Sequence, residues 1–144
     1  MSVYQNDIKR IMKQLMLVYE TRTVFNKDRK LERFGVIELM ILELVHSSEQ
    51  VTQIEILDTI KLKRTKLLGI LKKLMEHNYL CKEENPHDKR SYFIKIGKHG
   101  EEILKEYETH EAVFLDFVLR DMTINEEKAI VKFLSKIQQT DYMK

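Results

Sequence analysis

Apolar residues recur at three-and-four spacing along most of this chain, the pattern of amphipathic helices. Over residues 5–26, Ile8, Ile11, Met12, Leu15, Val18 and Tyr19 fall on one stripe. Residues 34–46, "FGVIELMILELV", are nearly continuous in apolar side chains, with Ile37, Ile41 and Leu44 on one side and Met40 and Val45 beside them. This should be the central, most buried helix. "SSEQ" ends it, and Thr52 with Glu55 then makes a capping box before the short helix "QIEILDTI". A further helix is predicted over about 65–77, where Leu67, Ile70, Leu71 and Leu74 have core spacing. The period then changes. "NPHDKRSYFIKIGKHG", residues 85–100, begins with the turn-forming pair Asn85-Pro86 and runs through the strand formers Tyr92, Phe93, Ile94 and Ile96. A hairpin with strands near 79–83 and 91–96 is therefore predicted. Helical spacing resumes over about 98–119, with Ile103, Leu104, Tyr107, Phe114, Phe117 and Val118. It continues over 124–138, after Thr123 and Glu126, with Ile130, Val131, Leu134 and Ile137. The fold class is mainly α with a small β-hairpin.

Composition narrows the class without changing that picture. The chain has 144 residues, 43% hydrophobic and 33% charged, with four glycines and one proline, which suits one mostly helical domain spanning 1–144. A lone cysteine, Cys81, cannot form an internal disulfide and fits a reducing compartment. The N-terminus lacks a basic start followed by an apolar run, and no segment approaches the roughly 18 apolar residues of a membrane span. A cytoplasmic protein without membrane contact is expected.

A net charge of +2 says little, but its distribution says more. "KLKRTKLLGILKK" carries Lys61, Lys63, Arg64, Lys66, Lys72 and Lys73 without an acid, whereas Glu101, Glu102, Glu106, Glu108 and Glu111 crowd the segment after the hairpin. A charge run alone is often only a solvated helix face. Here it falls on the third of three successive elements, helix, short helix and basic helix, followed by a hairpin. That order is a winged helix-turn-helix, in which the basic helix enters a major groove and the hairpin reaches the neighbouring minor groove or phosphates. Lysine and arginine placed there neutralise phosphates, so double-stranded DNA is the expected partner. The core spacing leaves Thr65, Lys66, Leu68, Gly69 and Lys72 pointing outward, with Lys63, Arg64 and Lys73 adding charge. Thr65 is the expected N-cap, and Leu68 suits a thymine methyl. On the hairpin, His87, Asp88, Lys89 and Arg90 form the presenting tip, with the Asp88 carboxylate expected to pair with Arg90 and aim its guanidinium.

"DKRSYFIKIGKHG" also resembles the wing of the MarR-type regulators, a pattern of Asp, any, Arg, three residues, aliphatic, any, aliphatic, Thr, two residues, Gly. Asp88, Arg90, Ile94, Ile96 and Gly100 match it; Gly97 departs from it, standing where that family usually has Thr, so the resemblance does not imply the usual Thr cap of the following helix. "NPHDKR", preceded by "LLGILKKLMEHNYLCKEE", is most similar to the SarA branch. The resemblance extends over about residues 34–104 and, by helix order, over the whole chain. It implies a homodimeric transcription regulator, with a DNA-binding lobe at 30–97 and dimerisation helices at 1–29 and 98–144. A dimer reads two half-sites and an arginine in a minor groove favours narrow A·T-rich DNA, so A·T-rich, pseudo-palindromic sites are expected.

Other functions find less support. "GKHG" is neither a dinucleotide-binding nor a phosphate-binding loop, and no Ser, His and Asp arrangement stands out, so no catalytic residue and no enzymatic activity is expected. His46, His77, His87, His99 and His110 are scattered, and no metal or cofactor site is expected. The remaining alternative is a helical protein-interaction module that does not bind DNA. No residue identifies a small-molecule effector.

Overall fold

The computed structural model describes residues 1–21 and 34–140, excepting the side chains of 16–21. It forms two compact units, Met1–His110 and Glu111–Lys144. In chain order the elements are α1 (Val3–Thr21), α2 (Val36–Ser47), β1 (Val51–Thr52), α3 (Gln53–Ile60), α4 (Arg64–Glu76), β2 (Leu80–Glu84), β3 (Tyr92–Ile96), α5 (Lys98–Leu119) and α6 (Ile124–Gln139). Residues 22–26 of the first predicted helix lie outside the described residues, as do the side chains of Val18 and Tyr19.

The first unit is built on α2, whose buried side chains are Leu39, Ile41, Leu42 and Val45. The expected core face was only partly right. Met40 is 47% exposed and Ile37 and Leu44 are half-buried, because neighbours on two sides of α2 select a stripe that a nearly continuous apolar sequence leaves undefined. The same core cluster takes in Ile56 of α3, Leu67, Leu71 and Leu74 of α4, Ile94 of β3, and Ile103, Leu104 and Tyr107 of α5. The α3 capping box is present: the Glu55 N–H donates to Thr52 Oγ1 at 3.3 Å, and the Thr52 N–H to Glu55 Oε2 at 3.0 Å. Lys61 ends α3 in the left-handed region (φ 57°), and its N–H bonds to the Leu57 carbonyl at 2.9 Å. That cap turns the chain sharply into α4.

The sheet has three antiparallel strands in the order β1-β3-β2, one more than the hairpin read from sequence. Val51 pairs with Ile94 and Thr52 with Phe93, while β2 and β3 run in register from Leu80 opposite Ile96 to Glu84 opposite Tyr92. The added strand is two residues long and has no period of its own. It exists because β3 offers it an open edge. Where β3 passes into α5, Gly97 and Gly100 lie against the turn before β2. A Cβ built at Gly97 would overlap the Asn78 carbonyl oxygen and sit 3.0 Å from its carbon; one at Gly100 would overlap the Tyr79 carbonyl oxygen and sit 2.9 Å from its carbon. Gly97 thus permits a close backbone approach that a side chain would block, and its own N–H donates to the Tyr79 carbonyl at 2.9 Å.

In the second unit, α6 starts with the capping box expected at Thr123 and Glu126. Hydrogen bonds from the Thr123 backbone and then its side chain hold the Glu126 carboxyl below its usual range. No described residue of α6 is buried, and no described helix is long and apolar enough to cross a membrane.

Candidate nucleic-acid interface

Helix α4 lays Leu67, Leu71 and Leu74 on the core, with Ile70 half-buried beside them. Helical periodicity then sets Thr65, Gly69 and Lys72 along the opposite ridge, Lys66 and Lys73 on one flank, and Arg64 and Leu68 on the other. All of these, and Lys63 before them, are exposed; Leu68 is 38% exposed, an apolar side chain presented to water. The basic run is therefore a surface, as the spacing indicated. Thr65 is not the N-cap. That position is Lys63, which makes no side-chain cap, and its carbonyl already accepts the Leu67 N–H at 3.0 Å. Leu62 packs against the core and brings the chain into helical geometry before Thr65 is reached. The hydroxyl of Thr65 stays on the outward ridge.

The hairpin tip is two successive turns. The Asp88 N–H donates to the Asn85 carbonyl and the Ser91 N–H to the Asp88 carbonyl, each at 3.2 Å. Side chains brace both turns: Asn85 Oδ1 accepts the His87 N–H at 3.0 Å and Asn85 Nδ2 donates to Ser91 Oγ at 3.1 Å. Asp88 Oδ1 accepts the Arg90 backbone N–H at 2.9 Å. The expected pairing of Asp88 with the Arg90 guanidinium is not seen, because a short Asp side chain reaches the amide two residues on more readily than a long side chain leading away from it. Among the described residues Arg90 has no ion pair, and its side chain is exposed with those of His87, Asp88 and Lys89. These hydrogen bonds brace the turn, and no salt bridge engages Lys89 or Arg90 among the described residues.

Contacts across long sequence separations fix the hairpin to the helix-turn-helix, and no local signal announces them. The Tyr92 hydroxyl donates to Gln53 Oε1 at 3.1 Å, tying β3 to the first residue of α3. Lys95 donates to the Glu49 carbonyl and lies 3.8 Å from Glu83. The Lys82 ammonium stands 4.4 Å over the Tyr92 ring, a cation–π contact within the hairpin. Cys81 on β2 is exposed and opposite Lys95 in the ladder. Among the described residues no three His, Cys, Asp or Glu side chains converge as metal ligands.

Residues 34–100 match the model of a winged helix DNA-binding domain. FabT of Streptococcus pneumoniae, solved in complex with DNA, superposes with a TM-score of 0.77 at 17% identity, covering 98% of this chain and 99% of that one. The adhesin competence repressor AdcR of Streptococcus pyogenes gives 0.71 at 14% identity, over 96% and 98%. MarR gives 0.60 at 20% identity, over 78% of this chain and 82% of its own. No curated protein matches by sequence. At these identities the structural matches establish the fold.

Proposed function

We propose that this winged helix protein of MarR-type fold is a homodimeric, sequence-specific regulator of transcription, with α4 in the major groove and the β2–β3 hairpin in the flanking minor groove of A·T-rich, pseudo-palindromic DNA. The observation that carries the reading is the conjunction on one domain of an exposed basic run on α4, from Arg64 to Lys73 with no acid inside it, and a braced hairpin tip on which Arg90 has no ion pair among the described residues. Phosphates supply what such cations lack. Lys63, Arg64, Lys66, Lys72 and Lys73 face the backbone, Thr65, Leu68 and Gly69 the base edges, and His87, Asp88, Lys89 and Arg90 the wing's groove.

Neutralising six to ten phosphates makes affinity fall by roughly a thousandfold or more between 50 and 200 mM salt. Fluorescence anisotropy with a duplex selected by the protein from random sequence should show that loss. Salt-independent binding, or none, would leave the helical interaction module as the better description.

The dimer rests on surface that one chain leaves uncovered. Ile8, Ile11 and Leu15 on α1 are 45%, 45% and 48% exposed, and Phe117, Val131 and Leu134 on α5 and α6 are 70%, 62% and 56% exposed. Apolar rows of this extent are covered in solution by another surface, and residues 1–29 with 98–144 of a second copy offer a self-complementary one. Light scattering should give about twice the 17.3 kDa chain mass at micromolar concentration. A stable monomer would exclude the two-half-site mode of binding.

A further inference from the structure

We infer that Gly69 is a specificity-determining residue: with Thr65 and Leu68 it forms a notch on the outward ridge of α4 that receives the 5-methyl group of one thymine. The inference rests on the DNA-binding reading above and goes beyond it by assigning a base-pair feature to a position without a side chain.

Nothing in the free protein asks for glycine at this position. Its φ is not positive, so no backbone conformation demands it. A Cβ built there meets no atom within 4 Å, in contrast to Gly97 and Gly100, where it collides with backbone. Gly69 also lines an open cavity of about 440 Å³ beside Phe34, Ile70 and Tyr79, and a methyl group there would stand in open space without touching a wall. Meanwhile glycine inside a helix is the worst choice after proline, because it loses the most backbone freedom on folding. The position therefore carries a folding disadvantage with no folding reason.

Its place on α4 supplies a reason. Gly69 lies opposite the buried Leu67, Leu71 and Leu74, the point of the helix that comes first against whatever the helix docks on. Without a Cβ the helix axis can approach a groove floor more closely. At Gly69 the peptide N–H and C=O are engaged within the helix and no side chain adds a donor or acceptor, so the floor of the notch cannot itself read a hydrogen-bonding base edge; the nearest such group, the Thr65 hydroxyl, belongs to its rim one turn away. The only apolar projection on the major-groove edges of the four base pairs is the thymine methyl. Exposed Thr65, one turn earlier, and exposed Leu68 beside it flank the notch, and Lys72 one turn on can reach the adjoining phosphate.

The test is a double-mutant cycle between protein and DNA. The duplex selected by the wild-type chain is made with each thymine replaced in turn by uracil, which removes only the methyl group. One replacement should weaken wild-type binding about fivefold, the lower end for a lost specific base contact. Gly69→Ala should melt at a higher temperature than wild type yet bind the thymine duplex about tenfold more weakly. On the uracil duplex at that one position, the Ala variant should bind at least as well as wild type, because its own methyl occupies the vacated space. Additive losses, or undiminished affinity of Gly69→Ala for the thymine duplex, would overturn the notch while leaving the DNA-binding reading intact. Failure of the wild-type chain to select any duplex would overturn both.

Discussion

Gly100→Ala is expected to destabilise the first unit by about 3 kcal/mol, lowering the melting temperature of the 144-residue chain by roughly 10 °C. By helix propensity alone the sign should be the opposite, since Gly100 lies in the first turn of α5 and alanine would gain up to about 1 kcal/mol there. Steric overlap decides. The new Cβ falls on the Tyr79 carbonyl oxygen, 2.9 Å from its carbon and 3.1 Å from Ile96 Cγ1, and two of these three atoms are backbone that no rotamer change can move. Relief requires α5 to withdraw from the turn that joins α4 to β2, which loosens Leu80, Ile103 and Leu104 in the core. Gly97→Ala, aimed at the Asn78 carbonyl, should behave alike. Melts followed by circular dichroism, with Gly69→Ala as the internal comparison, check this: the same substitution in the same chain should lower the midpoint at 97 and 100 and raise it at 69. A Gly100→Ala protein as stable as wild type would mean that the start of α5 does not approach Tyr79.

Arg90→Ala should leave the melting temperature unchanged and weaken DNA binding by about 1–3 kcal/mol per half-site, roughly 5- to 150-fold. Stability is spared because the guanidinium has no ion pair among the described residues, while the tip turns are held by Asn85, Asp88 and Ser91. Binding is not spared, because a hydrogen-bonded hairpin tip carries Arg90 at its end, and the planar, weakly hydrated guanidinium is favoured in narrow A·T-rich minor grooves. The salt slope should fall by about one for each Arg90 removed from a groove, and the preference for A·T pairs flanking the α4 contacts should diminish. Arg90→Lys keeps the charge and should restore the salt slope more fully than the flank preference. Titration of wild type and both variants against flank-substituted duplexes at two salt concentrations separates these effects. Wild-type affinity and flank preference in Arg90→Ala would reduce the hairpin to a structural turn.

Local information carried much of this molecule. The α3 and α6 capping boxes, the strands of the hairpin and the outward direction of the basic residues on α4 each depend on residues within a few positions of one another, and spacing alone determined them. So did the order of elements that marks a winged helix, since hydrophobic period reports helix or strand before any packing occurs. Tertiary structure decided what depends on distant neighbours. Leu39 and Leu42, not Met40, became core because surrounding elements choose a stripe from an all-apolar helix. β1 appeared only when β3 lay beside it, and Leu62, by packing inward, moved the start of α4 ahead of Thr65. Asp88 chose a nearby amide over a side chain it was expected to aim. The glycines divide most sharply: in sequence 69, 97 and 100 are the same residue in helical or near-helical surroundings, yet backbone carbonyls press on two of them and open space lies over the third. A glycine's role is written in what occupies the missing Cβ, and only the fold determines that.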